Sequence, residues 1–541
     1  MKKGQNQKEL KFLKTLGNRA VDKVVSQFFR YAKGEYRLAS ESKKILEKEL
    51  KILENNFSRG LILSGKLAML SLAGKMKDAK RVAYFNKKMS DFKDRVVGHY
   101  PQAANAWVLN GLVFSNQIAG LKRLSGYKNG DGYIIDVLNS ASSVALGAEN
   151  PWLVKINRIE NHLGIRDNIC TAYHPGLRQG FALQELAKLH PNKKLIGNLV
   201  VHSETSGTIV DSIAIESVVA YSEKKLGNNK CRVLAIDGTW AGGYASAREG
   251  TGFGIDGQQK QRSGKNIWVD RSLPSPTRQS SDLFMSLLEK KIKSKEVAGL
   301  YIEPDIIGDL GIVEFDKELL KKSIRLMKKH SLPIIVDCVQ QLGRSGGYWG
   351  ENVETLLKDY PLLITTTAKS AANGQPFGYT IMPRVIAESA HPLSQITTNQ
   401  MNGPLLRALV VAQIMSDKKF QSWLEKKSKT IEKIASEYGI KLGNYGLRGK
   451  YLNRGIYMGD NEKVKLAQIA LLVEDGILLG AVPEALRYQP MLCELSNTNE
   501  NVARVIFKRV KKILDNEVSG EVSDIYNKMK KVSTGLARKN T

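Results

Sequence analysis

The chain has 541 residues, of which 42% are hydrophobic and 25% are charged. A chain of this length can bury a large core and is too long for one minimal domain. The formal net charge is +29, and residues 1–100 alone carry 24 lysines and arginines against 10 acidic residues. Such a charge can attract nucleic acid or acidic metabolites, but we find no zinc-finger spacing, aromatic RNA-binding signature or basic zipper. We therefore interpret it as a solvated surface and predict no nucleic-acid partner.

The cysteines and the apolar runs indicate the compartment. The four cysteines have neither disulfide nor metal spacing: Cys170, Cys231, Cys338 and Cys493. This usage is typical of a reducing compartment. The most apolar early run, 60–74, is interrupted by Lys66 and is too short to span a bilayer. The N-terminus also lacks the apolar core of a signal peptide. We predict a cytoplasmic protein with no membrane partner.

Residues 1–100 have the pattern of helices. Apolar residues recur at helical spacing among lysines, first from Leu10 to Leu16 and then from Val21 to Phe29. No proline occurs before Pro101, which permits long helices. We interpret this part as a basic helical extension packed on the main domain. An independent binding module is the alternative.

Strand-like and helix-like segments alternate from about residue 133 to residue 383. The strand signals fall at 133–137, 198–202, 232–237, 299–305, 333–340 and 362–370. This alternation predicts an α/β fold with a mostly parallel sheet wound by helices. From about Pro404 the pattern indicates a smaller α+β domain, and we expect its last 25 or so lysine-rich residues to fray. The predicted domains are 1–100, 101–400 and 401–541.

Three of these apolar runs end in charged residues, namely Glu303, Asp337 and Lys369. In open α/β sheets, ligands bind just beyond the carboxyl ends of the strands. We therefore expect these side chains to meet at one edge of the sheet. A lysine and a carboxylate at neighbouring strand ends suit pyridoxal phosphate (PLP), which needs a lysine for its Schiff base and an anion opposite its pyridinium nitrogen.

Each candidate also has an ordinary interpretation. Lys369 is one of 82 basic residues, and most lysines are surface charges. Asp337 could cap a helix or a loop. The stretch 205–208, Thr-Ser-Gly-Thr, lies between a strand and a helix, where it could bind a phosphate or serve only as a helix cap. Trp240, in a glycine-rich turn, could stack on a cofactor ring or belong to the core.

Seven short motifs, in order, give the chain a resemblance to a known family. They are the stretches 133–151, 205–208, 240–242, 303–304, 337–346, 368–378 and 486–492. Among them are Glu-Pro at 303–304, Gly-Arg-Ser-Gly at 343–346 and Ala-Lys-Ser at 368–370. Together they resemble the class III aminotransferases, the PLP-dependent fold-type-I group that includes ornithine and 4-aminobutyrate aminotransferases.

The resemblance implies a homodimeric enzyme that moves an amino group from an amino acid or diamine to a 2-oxo acid through a Schiff base on Lys369. It implies a large PLP-binding domain, a smaller C-terminal domain and no metal. Asp337 would face the pyridinium nitrogen, and Arg487 would grip the substrate α-carboxylate through a forked ion pair. The other cofactor contacts that the resemblance implies are Ser206, Gly207, Thr208, Trp240, Glu303, Gln340 and, from the neighbouring subunit, Thr398 or Thr397.

Three positions depart from the family pattern. Cys338 and Ile209 replace a usual Glu, and Ala241 replaces a usual His. These changes leave two alternatives open. One is decarboxylation, racemisation or amino-group migration on the same PLP scaffold. The other is a basic binding protein on a retired enzyme scaffold, with residues 1–100 as the binding part.

Overall fold

A computed structural model describes residues 3–76, 83, 114–124, 133–138, 142–165, 176–227, 231–243, 245–251, 268–390 and 404–537. The helices are α1 (Lys3–Tyr31), α2 (Ser40–Leu72), α3 (Pro151–His162), α4 (Leu177–Ala187), α5 (Gly207–Leu226), α6 (Ala245–Glu249), α7 (Ser281–Lys293), α8 (Lys317–Lys329), α9 (Arg384–Ala387), α10 (Leu405–Met415), α11 (Lys418–Glu437), α12 (Asn461–Val473), α13 (Ser496–Leu514) and α14 (Gly520–Ala537). None of the helices in these ranges is long and apolar enough to cross a membrane.

The strands form three sheets and one short ribbon. They are β1 (Phe114–Ile118), β2 (Leu121–Leu124), β3 (Tyr133–Asp136), β4 (Leu199–Glu204), β5 (Arg232–Ile236), β6 (Val269–Leu273), β7 (Val297–Ile302), β8 (Ile306–Ile307), β9 (Val313–Glu314), β10 (Ile334–Asp337), β11 (Leu363–Thr367), β12 (Gly378–Pro383), β13 (Leu447–Lys450), β14 (Asn453–Tyr457), β15 (Ile477–Leu478), β16 (Gly480–Val482) and β17 (Ala485–Tyr488).

The central sheet has seven strands in the order β4-β12-β11-β10-β7-β5-β6. Strand β12 runs antiparallel to both of its neighbours, β4 and β11, and the other pairs are parallel. Every residue of β7, β10 and β11 is buried. Near-continuous apolar strands of this kind are typical of a parallel sheet covered on both faces. The predicted mostly parallel α/β sheet is confirmed.

The N-terminal helices α1 and α2 pack on the rest of the chain. Helix α1 lies against α3, α4 and α10, and α2 lies against α3 and α13. Phe28 is buried, with its ring 5.7 Å from that of Phe181. Gly17 is the point of closest approach, since a Cβ there would lie 1.9 Å from the ring of Trp152. The helical prediction is confirmed for residues 3–31 and 40–72.

The C-terminal part combines helices α11 to α14 with an antiparallel sheet of order β13-β14-β17-β16. Strand β15 pairs with β3 and so ties this part to residues near 135, and the division at residues 100 and 400 stays a prediction. One prediction was wrong: the tail continues as α14, which packs on α12. Val522 and Ile525 of α14 are buried, and this apolar contact holds the lysine-rich segment in place.

Candidate functional site

Six of the seven strands of the central sheet run in the same direction and end at one edge. The residues that follow β4, β5, β7, β10 and β11 are therefore brought close together. A cavity of about 330 Å³ lies at this edge. The predicted site residues that line it are Ser206, Gly207, Thr208, Trp240, Asp337, Gln340 and Lys369.

Glu303 lies behind this cavity and does not line it. Its carboxylate accepts a hydrogen bond from the Gly308 N–H at 3.1 Å. The backbone N–H of Trp240 is close enough to lower the pKa of this carboxyl, against the larger raising effect of burial. The second oxygen, Oε1, is buried and has no partner among the described residues.

Lys369 occupies a special backbone position. Its φ is +48°, in the left-handed region that residues with a Cβ rarely adopt. Such conformations cluster at functional sites, because the surrounding structure must hold them there. Burial lowers the pKa of the Lys369 amine, and the Asp309 carboxylate opposes that change. The site therefore favours the neutral, nucleophilic amine.

Asp337, the last residue of β10, is held by two hydrogen bonds. The Tyr301 hydroxyl donates to Oδ2 at 2.6 Å, and the Val339 N–H donates to Oδ1 at 2.7 Å. Burial raises the pKa of this carboxyl, whereas both hydrogen bonds and the Lys369 amine lower it. Without a cation opposite, the carboxyl is thus pulled towards its neutral form, and a cationic ligand group would restore the charge.

Sequence reasoning missed a second acid at this site. Asp211, on α5, is 2% exposed and lines the cavity. Its Oδ1 accepts a hydrogen bond from the Thr366 hydroxyl at 2.5 Å. Burial and then the Asp337 carboxylate raise the pKa of Asp211 well above its usual range. The only signal in the sequence was an acid near the start of a mostly apolar helical run, which holds a second acid at Glu216.

The stretch 205–208 forms the start of α5, with Ser206 as its N-cap residue. The Ser206 side chain does not cap the helix, and its Oγ is buried with no partner in the described structure. Gly242 lies against the same place: its φ is +150°, and a Cβ there would lie 2.5 Å from Thr208 Oγ1. A helix start with free donors and close glycine contacts can bind an anion.

Arg487 does not stand free. Its Nη2 lies 2.7 Å from Asp309 Oδ1, and Gln340 Nε2 donates to the other oxygen, Oδ2, at 2.8 Å. Asp309 thus joins Gln340 to Arg487. Arg487 Nε is buried and has no partner among the residues described. Sequence reasoning missed Asp309, although it follows Glu303 by only six residues.

The three departures from the family pattern lie in different surroundings. Cys338 is fully buried in the hydrophobic core, where its sulfur accepts a hydrogen bond from Gln341 Nε2 at 3.3 Å. Ala241 lines the cavity, so the exchange of a larger side chain for a methyl group widens it. Ile209 does not line the cavity. Thr397 and Thr398 lie outside the described residues.

The residues present fit pyridoxal phosphate. The Ser206 hydroxyl and the start of α5 suit its phosphate, Trp240 suits its ring, Asp337 its pyridine nitrogen and Lys369 its aldehyde. The unpartnered Oγ of Ser206 is an observation that calls for a polar ligand. No cluster of metal-binding side chains occurs in the part of the chain that the structure describes.

The fold is similar to solved aminotransferase structures. Adenosylmethionine-8-amino-7-oxononanoate aminotransferase from Methanocaldococcus jannaschii aligns with a TM-score of 0.64 and 16% identity, over 79% of this chain and 99% of that one. The PMP-bound form of an aminotransferase from Vibrio fluvialis aligns with a TM-score of 0.63 and 14% identity, over 75% and 94%. These similarities confirm the fold predicted from the sequence.

Curated relatives match over a shorter region. A probable mitochondrial acetylornithine aminotransferase of Schizosaccharomyces pombe is 31% identical over 176 residues, which are 32% of this chain and 38% of the relative. A leucine/methionine racemase of Thermococcus litoralis is 29% identical over 183 residues, 33% of this chain and 40% of the relative. The match to each thus spans about two fifths of its length. The model of the family "Aminotransferase class-III", by contrast, matches residues 124–513. The chain belongs to the class III aminotransferase family.

Proposed function

We propose that this protein is a PLP-dependent aminotransferase that moves an amino group from an amino acid or diamine to a 2-oxo acid. The observation that carries the proposal is the pair Lys369 and Asp337, which line one cavity of about 330 Å³ at the carboxyl edge of the sheet. PLP, when bound, supplies an electron-accepting ring that stabilises negative charge on the substrate carbon.

Lys369 would act as nucleophile and then as proton carrier. Its lowered pKa increases the fraction of neutral amine, which can attack a carbonyl carbon. The same nitrogen, when neutral, would accept a proton from a substrate carbon and later release it.

Asp337 would hold the pyridine nitrogen in its protonated form. The two hydrogen bonds from Tyr301 and Val339 favour the carboxylate and offset part of the cost of burying it. A pyridinium opposite this carboxylate would complete a buried, hydrogen-bonded ion pair. Burial and then the Asp337 carboxylate raise the pKa of Asp211, so a charged Asp337 would favour the protonated form of Asp211.

The phosphate and the ring would be held at the start of α5 and by Trp240. The N–H groups at the first turn of this 20-residue helix, with the Ser206 hydroxyl, offer donors to an anion. Trp240 lines the same cavity and would stack on the ring. Together these contacts would hold the cofactor in one orientation.

Arg487 would bind the substrate carboxylate. It is 6% exposed, and it lies close enough to Lys369 to lower the pKa of that amine. A carboxylate ligand must compete with Asp309 for one side of the guanidinium, while Nε remains available. We therefore propose that Arg487 binds the substrate carboxylate and that its ion pair with Asp309 lowers its affinity for that carboxylate.

A racemase is the second candidate. The racemase of Thermococcus litoralis is as similar to this chain as the aminotransferases are. Racemisation begins with the same proton removal by the lysine but returns the proton to the opposite face of the same carbon. It needs no 2-oxo acid, so the two activities are separable by a mass balance.

The test is to incubate the PLP-loaded protein with each of a panel of amino acids and diamines and with 2-oxoglutarate. An aminotransferase consumes the 2-oxo acid in equal amounts with the donor. Lys369→Ala must lose this activity, and Lys433→Ala, a change at an exposed lysine of α11, must keep it. Donor inversion without consumption of 2-oxo acid would establish the racemase, and no conversion at all would refute both candidates.

We also propose a cytoplasmic homodimer, with Thr397 or Thr398 reaching the phosphate of the partner subunit's cofactor. The described cysteines, Cys231, Cys338 and Cys493, are all buried free thiols, which suits a reducing compartment. Light scattering on the purified protein should give twice the chain mass of 60.0 kDa. A monomeric mass with full activity would refute the shared site.

A further inference from the structure

A second, larger cavity lies between the N-terminal and the C-terminal helices. Its volume is about 820 Å³, and its walls come mainly from α1, α2, α11 and the first turn of α13. The described residues that line it share none with the cavity of the candidate active site. Its size is in the range of small-molecule sites.

The wall of this cavity holds buried polar atoms that lack partners. Asn499 is 2% exposed, and its Oδ1 accepts a hydrogen bond from the Tyr488 hydroxyl at 2.7 Å. Its Nδ2 has no partner among the residues that the structure describes. The same holds, within those residues, for Trp423 Nε1 and for Asn497 Oδ1. Native proteins rarely leave buried polar atoms unpaired, so these atoms indicate a polar occupant.

Charged groups of both signs line the same cavity. The Glu9 carboxylate accepts a hydrogen bond from the Ser496 N–H at 2.8 Å and is thereby fixed at the start of α13. Lys427 is buried, with Nζ 3.4 Å from the centre of the Trp423 ring and 3.0 Å from the Leu492 carbonyl oxygen. Lys426 also lines the cavity and is exposed. An occupant can therefore meet a cation and an anion at once.

We propose that this cavity is a binding site for a free amino acid, separate from the candidate active site. The unpartnered donors, Trp423 Nε1 and Asn499 Nδ2, together with Lys426, suit a carboxylate. The Glu9 carboxylate and Asn497 Oδ1 suit an ammonium group. A simple anion would leave the acceptors unused, and a diamine would leave the donors unused.

The test is isothermal titration calorimetry of the full-length protein with each of the twenty protein amino acids. The tightest one is then compared with its deaminated acid and its decarboxylated amine, and both should bind about tenfold more weakly or not at all, because each lacks one of the two charges. Binding of an amino acid at the candidate active site would persist in variants of the second cavity. Those variants therefore distinguish the two binding sites.

Three variants assign the site. Asn499→Asp keeps the acceptor for Tyr488 but removes the Nδ2 donor, and Trp423→Phe keeps a ring beside Lys427 but removes the Nε1 donor. We expect each to weaken binding about tenfold. Lys426→Ala should weaken it as well, and the matched change Lys433→Ala, at an exposed lysine outside the cavity, should not.

The proposal is overturned if no amino acid binds in a way that depends on these residues. It is also overturned if the deaminated acid binds as tightly as the amino acid, because the site then recognises a carboxylate alone. Should Asn499→Asp fail to fold, Trp423→Phe and Lys426→Ala decide the outcome by themselves, since both residues are more exposed than Asn499.

Discussion

The two edges of the seven-stranded sheet are built from the same strands and have opposite character. At the carboxyl edge, Lys369 has a positive φ, and Asp211 and Asp337 are buried carboxyls with raised pKa values. Buried oxygens of Ser206 and Glu303 have no partner there among the described residues. All of these features cost stability.

At the amino edge, the buried polar groups are paired. His190 Nε2 lies 3.1 Å from the Leu363 carbonyl oxygen at the start of β11. Asn192 Nδ2 donates to the Tyr360 carbonyl oxygen at 3.0 Å, and the Tyr360 hydroxyl donates to the Leu332 carbonyl oxygen. The amino edge therefore stabilises the sheet. At the carboxyl edge, a strained lysine and unpaired polar groups remain, and a ligand bound there can supply the missing partners.

The largest effect that separates the two edges is expected from Lys369→Ala. Loss of the nucleophile and proton carrier should lower kcat/KM about a thousandfold or more. The urea midpoint of unfolding should not fall, because a buried amine with a lowered pKa and a strained backbone contributes little stability. Equal losses of activity and stability would remove the contrast between the edges.

At the amino edge, we expect a pH effect on stability from His190. Burial lowers the pKa of His190 from 6.5 to about 4, so between these values the unfolded chain binds a proton that the folded chain does not. Stability should therefore fall as pH falls from about 6.5 to about 4, by about 3 kcal/mol from this residue alone.

Urea titrations at pH 7.5, 5.5 and 4.5 measure this effect. A His190→Gln variant serves as the comparison, because its side chain does not titrate in this range. The variant should be less stable at pH 7.5 but should lose less stability on acidification than the unchanged protein. Parallel pH dependence of the two proteins would show that the pKa of His190 is the same in the folded and the unfolded chain, which would contradict the lowered pKa.

A smaller effect is expected from Tyr301→Phe at the carboxyl edge. The change removes the hydrogen bond to Asp337 Oδ2, which should raise the pKa of Asp337 and weaken its ion pair with PLP. A hydrogen bond to a charged group contributes about 1.5–3 kcal/mol, so PLP affinity should fall about tenfold to a hundredfold. Fluorescence titration of the cofactor-free protein measures it.

The matched control for Tyr301 is Tyr348→Phe. Tyr348 is also buried, but its hydroxyl pairs with the hydroxyl of Tyr379 at 2.6 Å, whereas that of Tyr301 pairs with Asp337. We expect its loss to leave PLP affinity within about twofold of the unchanged value, because its removal leaves the Asp337 carboxylate untouched. Equal losses in the two variants would mean that tyrosine burial in general, and not the bond to Asp337, supports the cofactor.

The smallest effect is expected from Tyr360→Phe at the amino edge. It removes one neutral hydrogen bond to the Leu332 carbonyl and should lower the free energy of unfolding by about 1 kcal/mol. Activity per folded molecule should stay the same. A change in KM without a change in the urea midpoint would contradict the division of roles between the edges.

The sequence predicted the frame of the site better than its electrostatics. Apolar runs that end in Glu303, Asp337 and Lys369 are local signals, and the structure places them at the ends of neighbouring strands. Asp211 and Tyr301 could not be predicted, because an acid inside a helix and a tyrosine inside a strand carry no mark of the partner that they meet in space. Their roles depend on contacts between α5, β7 and β10, which only the packing of the sheet creates.

The C-terminal helix α14 is a second case in which tertiary contacts decided a feature that the sequence pattern did not predict. The lysine-rich composition of the last residues predicted fraying, yet α14 forms because Val522 and Ile525, three residues apart, share a buried face. The lysine-rich composition outweighed the helical spacing of these two apolar residues in the prediction. Packing against α12 was the information that the sequence pattern lacked.

The most direct test of the central claim is borohydride reduction of the protein in the presence of PLP, followed by mass spectrometry of its peptides. The proposal predicts a reduced PLP adduct on Lys369 and none on the same peptide of Lys369→Ala. An unmodified Lys369 peptide in protein saturated with PLP, or an adduct confined to other lysines, would contradict it.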